Sequence, residues 1–175
     1  DAGVEIDSVP VDGTACRFRT AAPVDVLPLR VANAETLRRG PTTDLRVSFK
    51  LLGGANAAEL GNRPLRLHFH GDLKTGRSLY LWSLHHLEGV TLELDGGKSL
   101  RFGPEIVRAA GFDAEEALLP FPPNAFQGYR ILQEYFTLPE RFLFVDIARV
   151  LHAVARAQAG GFGLVFHYSR PLDEQ

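Results

Sequence analysis

His68-Phe69-His70-Gly71-Asp72 is the stretch of this 175-residue chain whose residue types come nearest to a reactive centre. The surrounding run from Pro64 to His70 alternates, with Leu65, Leu67 and Phe69 on one side and Arg66, His68 and His70 on the other. In a strand that alternation points both imidazoles the same way. Two imidazoles and a nearby carboxylate could begin a zinc or iron site. Such a site needs at least three protein ligands and outer hydrogen bonds that orient them. His85 and His86 are the nearest further donors, and adjacent helical residues diverge by about a third of a turn. The plainer reading leaves both histidines on the polar face of a half-buried strand. A small metal-dependent enzyme using His68, His70 and Asp72 is therefore the alternative function.

The pattern H-x-H-x-D resembles part of the metallo-β-lactamase signature, but Leu73 stands where the closing histidine belongs. The H-x-H of cupins is also similar, and no glutamate follows at a fitting distance. Cys16 neighbours Arg17 and Arg19, whose charges could favour a thiolate. Strand alternation sets Cys16 and Phe18 opposite the arginines, so a buried, inert thiol is expected. No G-x-S-x-G surrounds a serine, and no G-x-x-x-x-G-K-[ST] occurs. Carboxylates such as Glu115 and Glu116 sit together without the burial that would split their pKa values. The sequence nominates no catalytic residue, no resident metal and no cofactor.

The elements that would position these groups are mostly strands. Thr14 to Thr20 and Val24 to Val31 read as short β-runs, with Pro23 and Pro28 favouring edges. Asp44 to Leu51 is cleaner: Leu45, Val47, Phe49 and Leu51 share one face, and Arg46, Ser48 and Lys50 the other. Gly53 to Gly61 reads as loop. A helix is expected over Ser78 to Leu87, with Tyr80, Leu84 and Leu87 inward beside Leu81. Val90, Leu92 and Leu94 lead to the turn Asp95-Gly96, and Leu100 and Phe102 return. Asp113 and Glu116 suggest a capping box for a short helix to Leu119, which Pro120, Pro122 and Pro123 end. A second helix covers Gly128 to Phe136, and Phe142 to Ile147 is a buried strand. Ala148 to Gln158 fits a helix with Val150, Leu151 and Val154 inward, followed by a last strand from Phe162 to Tyr168. The expected class is α+β, mainly β: one β-rich domain over residues 1–175, with a two-sheet, sandwich-like body and a few short helices.

Phe126 to Asp146 is the densest segment, with six aromatic residues in 21 positions against one in ten overall. Tyr129, Leu132 and Phe136 fall at i, i+3 and i+7. The simpler explanation is a core helix feeding a core strand. The alternative is a docking surface, because interfaces favour Tyr, Phe and Arg.

Composition narrows the classes. The chain is 45% hydrophobic and 23% charged, ordinary for a globular protein. Nineteen basic against 21 acidic side chains give a net charge of −2, which argues against nucleic acid as a partner. No apolar run approaches 18 residues, so no membrane-inserting helix is expected. One cysteine precludes an internal disulfide. The chain has no methionine and begins with Asp1, so it is read as an internal piece of a longer protein.

Phe126-Gln-Gly-Tyr-Arg-Ile-Leu-Gln-Glu-Tyr-Phe-Thr-Leu-Pro-Glu-Arg-Phe-Leu-Phe-Val-Asp146 resembles the F-x-G-Y-R-L-L-x-E-Y-F-x-F-P-E-K-F-L-F-F-D block of the TssF family, also called ImpG or VasA. Cys16-Arg-Phe-Arg-Thr20 is similar to that family's C-R-F-R-T, and Leu65 to Asp72 to its L-R-F-Y-L-H-G-D. Only His70 falls in register with the family's H-G-D, which weakens the metal reading. The resemblance implies a non-catalytic baseplate wedge component of a type VI secretion system. Its implied partners are TssG, TssK, TssE and a second TssF copy, in the cytoplasm at the inner membrane's cytoplasmic face. The residues that carry the motif, and that could form an interface, are Phe126, Gly128, Tyr129, Arg130, Glu134, Tyr135, Phe136, Pro139, Glu140, Phe142 and Phe144.

Overall fold

A computed structural model of the chain describes residues 1–119, 121–122, 124 and 126–172. In chain order its elements are β1 (Glu5–Asp7), β2 (Arg17–Arg19), β3 (Leu29–Arg39), β4 (Thr42–Leu51), β5 (Leu65–His68) and α1 (Leu73–His85). There follow β6 (Leu87–Leu94), β7 (Ser99–Phe102), β8 (Val107–Ala109), α2 (Gln127–Thr137), β9 (Phe144–Ile147), α3 (Val150–Ala157) and β10 (Gly161–Tyr168). The expected class, α+β and mainly β, is what these elements make. They divide into two compact units, Asp1–Val26 with Gly111–Phe142, and Leu27–Ala110 with the chain from Leu143 onward.

The second unit holds two antiparallel sheets, ordered β3-β4-β10-β6-β7 and β5-β9-β8. The alternation read in β4 is what lets the larger sheet bury one face. Phe49 is buried, Leu45, Val47 and Leu51 pack partly against the core, and Lys50 is exposed. On β10, Phe162, Leu164, Phe166 and Tyr168 face the same core, joined by Val90 and Leu92 of β6. From the smaller sheet come Leu65, Val107, Val145 and Ile147. Helix α3 closes the core with Val150, Leu151 and Val154, the three residues its periodicity turns inward. Each fully buried aliphatic side chain contributes about 1.5–3 kcal/mol relative to exposure. Tyr168 is buried with its hydroxyl 3.1 Å from Ser83 Oγ, and burial pushes its pKa up to about 12.

Several boundaries differ from expectation for local reasons. Helix α1 begins five residues early because Asp72 caps it, accepting from the Thr75 amide at 2.9 Å. That backbone hydrogen bond holds the Asp72 carboxyl below its usual pKa. Gly76 breaks the helical pattern in sequence, yet a Cβ there would sit 3.0 Å from the Phe69 carbonyl oxygen and 3.1 Å from Leu143 Cδ1. The glycine permits close packing and does not end the helix. Within Gly53–Gly61, Asn56 and Glu59 form a capping box around a 3-10 turn at Ala57–Leu60. Strand β3 starts at Leu29 and continues to Arg39, beyond the run ending at Val31.

The first unit contains a two-stranded ribbon in which β1 pairs with β2 through Glu5↔Arg19, Ile6↔Phe18 and Asp7↔Arg17. One face carries charge: Arg17 lies 3.5 Å from Glu5 and 3.1 Å from Asp7. Ile6 and Phe18, cross-strand partners, are both exposed. Cys16 is exposed as well, which corrects the expected burial. A two-stranded ribbon has no second layer of its own under which a thiol on the Phe18 side could be buried. The Asp113–Glu116 capping box does not form. Asp113 makes no side-chain cap, a single 3-10 turn covers Ala114–Glu116, and the Glu116 carboxylate accepts from the Gly111 amide at 2.6 Å. Pro120 and Pro123, two of the expected helix stops, lie outside the described residues.

Candidate functional site

Helix α2 and the segment from Gly111 to Leu119 form the most connected polar centre in the first unit. Arg130 and Glu134, four residues apart on one helical face, are 1% and 2% exposed. Glu134 Oε1 accepts from the backbone amides of Leu118 and Leu119 at 2.9 and 3.3 Å. Its other oxygen accepts from Arg130 at 3.4 Å and from Arg141. Arg130 also donates to the carbonyls of Phe112 and Asp113, at 3.0 and 3.3 Å. Arg141, 8% exposed, donates to those of Gly111 and Glu116 at 3.1 and 2.5 Å. Gly111 has φ +95, and a Cβ would lie 3.5 Å from the Arg141 guanidinium. Two guanidiniums and one carboxylate thus tie a loop to a helix through its backbone. Charge-assisted hydrogen bonds of this kind are shorter and stronger than neutral ones.

This geometry reverses the expected orientation of α2. Tyr129, Leu132 and Phe136, whose spacing suggested a core stripe, are 71%, 55% and 81% exposed. The buried face is the charged one, because its charges have fixed partners in the Gly111–Leu119 backbone. Phe126, also exposed, stands at the helix N-cap with its ring edge-to-face on Tyr129 at 5.9 Å. Gly128 lies beneath that ring, where a side chain would collide with it. Tyr135 is at the margin, 6.0 Å from the buried Phe142 ring, which also meets Phe112 at 5.0 Å. Pro139 opens the 3-10 turn that delivers Arg141 and Phe142, and Glu140 is exposed. Phe144 belongs to the other unit, on β9. Arg141 was missed in sequence; its signal was a second cation shortly after a buried i, i+4 Arg–Glu pair.

The histidine motif is otherwise employed. His68 on β5 faces Phe144 in register and stacks on its ring at 4.3 Å. The His70 ring is 6.0 Å from that of His68, and Asp72 caps α1. Among the described residues, no group of three or more His, Cys, Asp or Glu could hold a metal ion. Replacing His68 and His70 together by Ala is expected to leave the zinc content and the folded state unchanged. Zinc bound by the parent and lost from a normally folded double variant, measured by atomic emission, would contradict this.

A second polar chain crosses the outer face of the larger sheet. Thr91 Oγ1 lies 2.8 Å from His167 Nε2, and His167 Nδ1 lies 3.0 Å from Asp44, which Arg39 meets at 2.9 Å. The order is that of a hydroxyl, a base and an orienting acid. Thr91, however, is ladder-paired on both sides, to Val165 and to Arg101. A backbone committed to two neighbours leaves no adjacent amides for an oxyanion. The chain reads as a cross-strand brace.

A β-rich α+β body, with its buried charges tying backbone to backbone and an uncharged aromatic helix face outside, has the features of a structural, surface-presenting protein. The family model for the type VI secretion system protein TssF matches residues 1–175, and the chain belongs to that family. It is similar to the type VI secretion system component TssF1 of Pseudomonas aeruginosa, with 37% identity over 92% of this chain and 28% of the relative. It is also similar to a chain in the cryo-electron microscopy structure of the TssK-TssF-TssG baseplate subcomplex. There the TM-score is 0.84 at 28% identity, over 100% of this chain and 34% of that one. The chain thus spans about a third or less of either relative.

Proposed function

We propose that the chain is a non-catalytic structural part of a type VI secretion baseplate, assembling with TssG and TssK. The observation that carries this reading is the TssF match over residues 1–175, supported by the fold it shares with a chain of the TssK-TssF-TssG subcomplex. TssE and a second TssF copy complete the proposed neighbourhood, at the cytoplasmic face of the inner membrane. The chemistry is positioning. Phe126, Tyr129 and Phe136, with Leu132 between them and Tyr135 and Glu140 at the margin, present the contact face. Arg130, Glu134, Pro139, Arg141 and Phe142 hold α2 behind it, and Gly128 leaves room for the Phe126 ring. An exposed, uncharged aromatic patch of this kind marks a protein contact. Phe144, stacked on His68, serves the sheet.

The test is co-expression with TssG and TssK, followed by size-exclusion chromatography of the tagged protein. Co-elution is expected, as is its loss in a Tyr129→Asp/Phe136→Asp variant whose melting temperature stays within about 2 °C of the parent, since exposed positions shift stability by only about ±0.5 kcal/mol. A variant that still co-elutes would remove α2 from the interface. A parent protein eluting alone would place the assembly contacts elsewhere.

A further inference from the structure

We infer that residues 111–142 are a self-contained insertion in the β8–β9 hairpin, which opens and closes as one unit while both sheets of the second unit stay folded. This deepens the assembly reading and rests on it only for the use made of the exposed α2 face. Strands β8 and β9 are antiparallel neighbours, paired from Val107↔Ile147 to Ala109↔Val145. The ladder goes one step further, with the Ala110 amide donating to the Phe144 carbonyl at 3.1 Å. The chain therefore leaves the smaller sheet and returns to it at facing backbone positions. Hairpin connections usually take about 2–5 residues. Here the whole of Gly111–Phe142 intervenes. Its point of return is held by the second unit's own backbone, the Phe69 amide donating to the Leu143 carbonyl at 3.0 Å.

What the segment carries is bonded to itself. Glu134 holds the Leu118 and Leu119 amides, Arg130 the Phe112 and Asp113 carbonyls, and Arg141 those of Gly111 and Glu116. The Glu116 carboxylate returns to the Gly111 amide. The rings follow the same rule: Phe142 meets Phe112 and Tyr135, and the Arg141 guanidinium lies 5.2 Å from the Phe142 ring centre. Each of these partners lies within 111–142. The hydrophobic core of the second unit, conversely, draws its described residues from Leu27–Ala110 and from Leu143 onward. The β1–β2 ribbon also closes its own backbone bonds, from Gly3 to Thr20. Shared burial and hydrogen bonding decide which parts of a protein open together. Opening the insertion breaks no β8–β9 bond, because the ladder is already closed at Ala110. Tyr129, Leu132 and Phe136 stand exposed on this segment, so a partner that takes up or releases α2 acts on the insertion and leaves the sheets closed.

Native-state hydrogen–deuterium exchange at low urea tests this on the full-length TssF-family protein that carries these residues. Amides of residues 127–137 are expected to exchange together, about tenfold or more faster than those of β4 and β10. Glu134→Ala should accelerate the 127–137 group about tenfold or more again, with β4 and β10 within about twofold of the parent. Replacing 111–142 by a link of about four glycine and serine residues, an ordinary hairpin length, should leave β4 and β10 equally protected. Amides of β10 that match those of α2 in the parent, or accelerate with them in Glu134→Ala, would show one cooperative unit and overturn the inference. Loss of β4 and β10 protection in the excised protein would overturn it too. These readouts need no partner, and the assembly reading fails on a separate result, a parent protein that does not co-elute with TssG and TssK.

Discussion

Glu134→Ala is expected to destabilise the unit that carries α2 by about 3–5 kcal/mol, the range for breaking a buried ion pair by removing one partner. The substitution leaves two guanidiniums, those of Arg130 and Arg141, buried without their carboxylate, and strips the Leu118 and Leu119 amides of their acceptor. Glu134→Gln keeps an acceptor for Leu118 and loses only the charge, so a smaller loss, about 1–3 kcal/mol, is expected. Replacing Arg130, Glu134 and Arg141 together by Met, Leu and Met removes the charges along with their desolvation cost. Apolar replacements are near neutral where the buried charges partner only one another. Here the triple variant also strips the Leu118 and Leu119 amides and the Gly111, Phe112, Asp113 and Glu116 carbonyls of their side-chain partners, so it should be at least as destabilised as Glu134→Ala. Urea unfolding of the three proteins decides the matter. A single variant within about 0.5 kcal/mol of the parent would mean that the network does not hold α2 to the loop.

That network also explains which parts of the fold were legible in sequence. Where an element buries apolar residues on one side, its period mostly announced it: β4, β6 and α3 turn the expected residues inward, whereas Leu100 of β7 and Leu81 of α1, expected with them, are exposed. Helix α2 was legible as a helix and illegible as to orientation. Its apolar period is real, but Arg130 and Glu134 occupy the complementary face and have backbone partners 15 to 18 residues away. Periodicity measures segregation of side chains. It does not say which side faces inward when the polar side has fixed backbone partners. Cys16 failed similarly, because alternation defines a face and only a second layer buries it. Asp72 looked like a metal ligand because a carboxylate after two histidines is chemically suggestive, and it is equally a helix cap. The family block spanning Phe126 to Asp146 thus mixes two kinds of residue that spacing alone does not separate: charged ones that hold the backbone and aromatic ones that stay outside.

Phe162→Ala and Phe136→Ala, the same substitution at two positions, should separate core from contact most sharply. Phe162 lies on β10, the central strand of the larger sheet, and is 4% exposed. Its ring stacks on its cross-strand partner Phe49 at 4.9 Å and 15°. Truncation removes the buried ring area, leaves a cavity that a central strand cannot collapse to fill, and abolishes the aromatic pair. The expected cost is about 3–5 kcal/mol, of which the pairing accounts for about 0.5–1.5. Phe136 is 81% exposed, and its loss should stay within about 0.5 kcal/mol. Chemical denaturation gives the first number, and TssG–TssK co-elution gives the readout that Phe136 alone should move. Equal destabilisation by both would return α2 to the core. A silent Phe162→Ala would mean that β10 is not the strand on which the sheet depends.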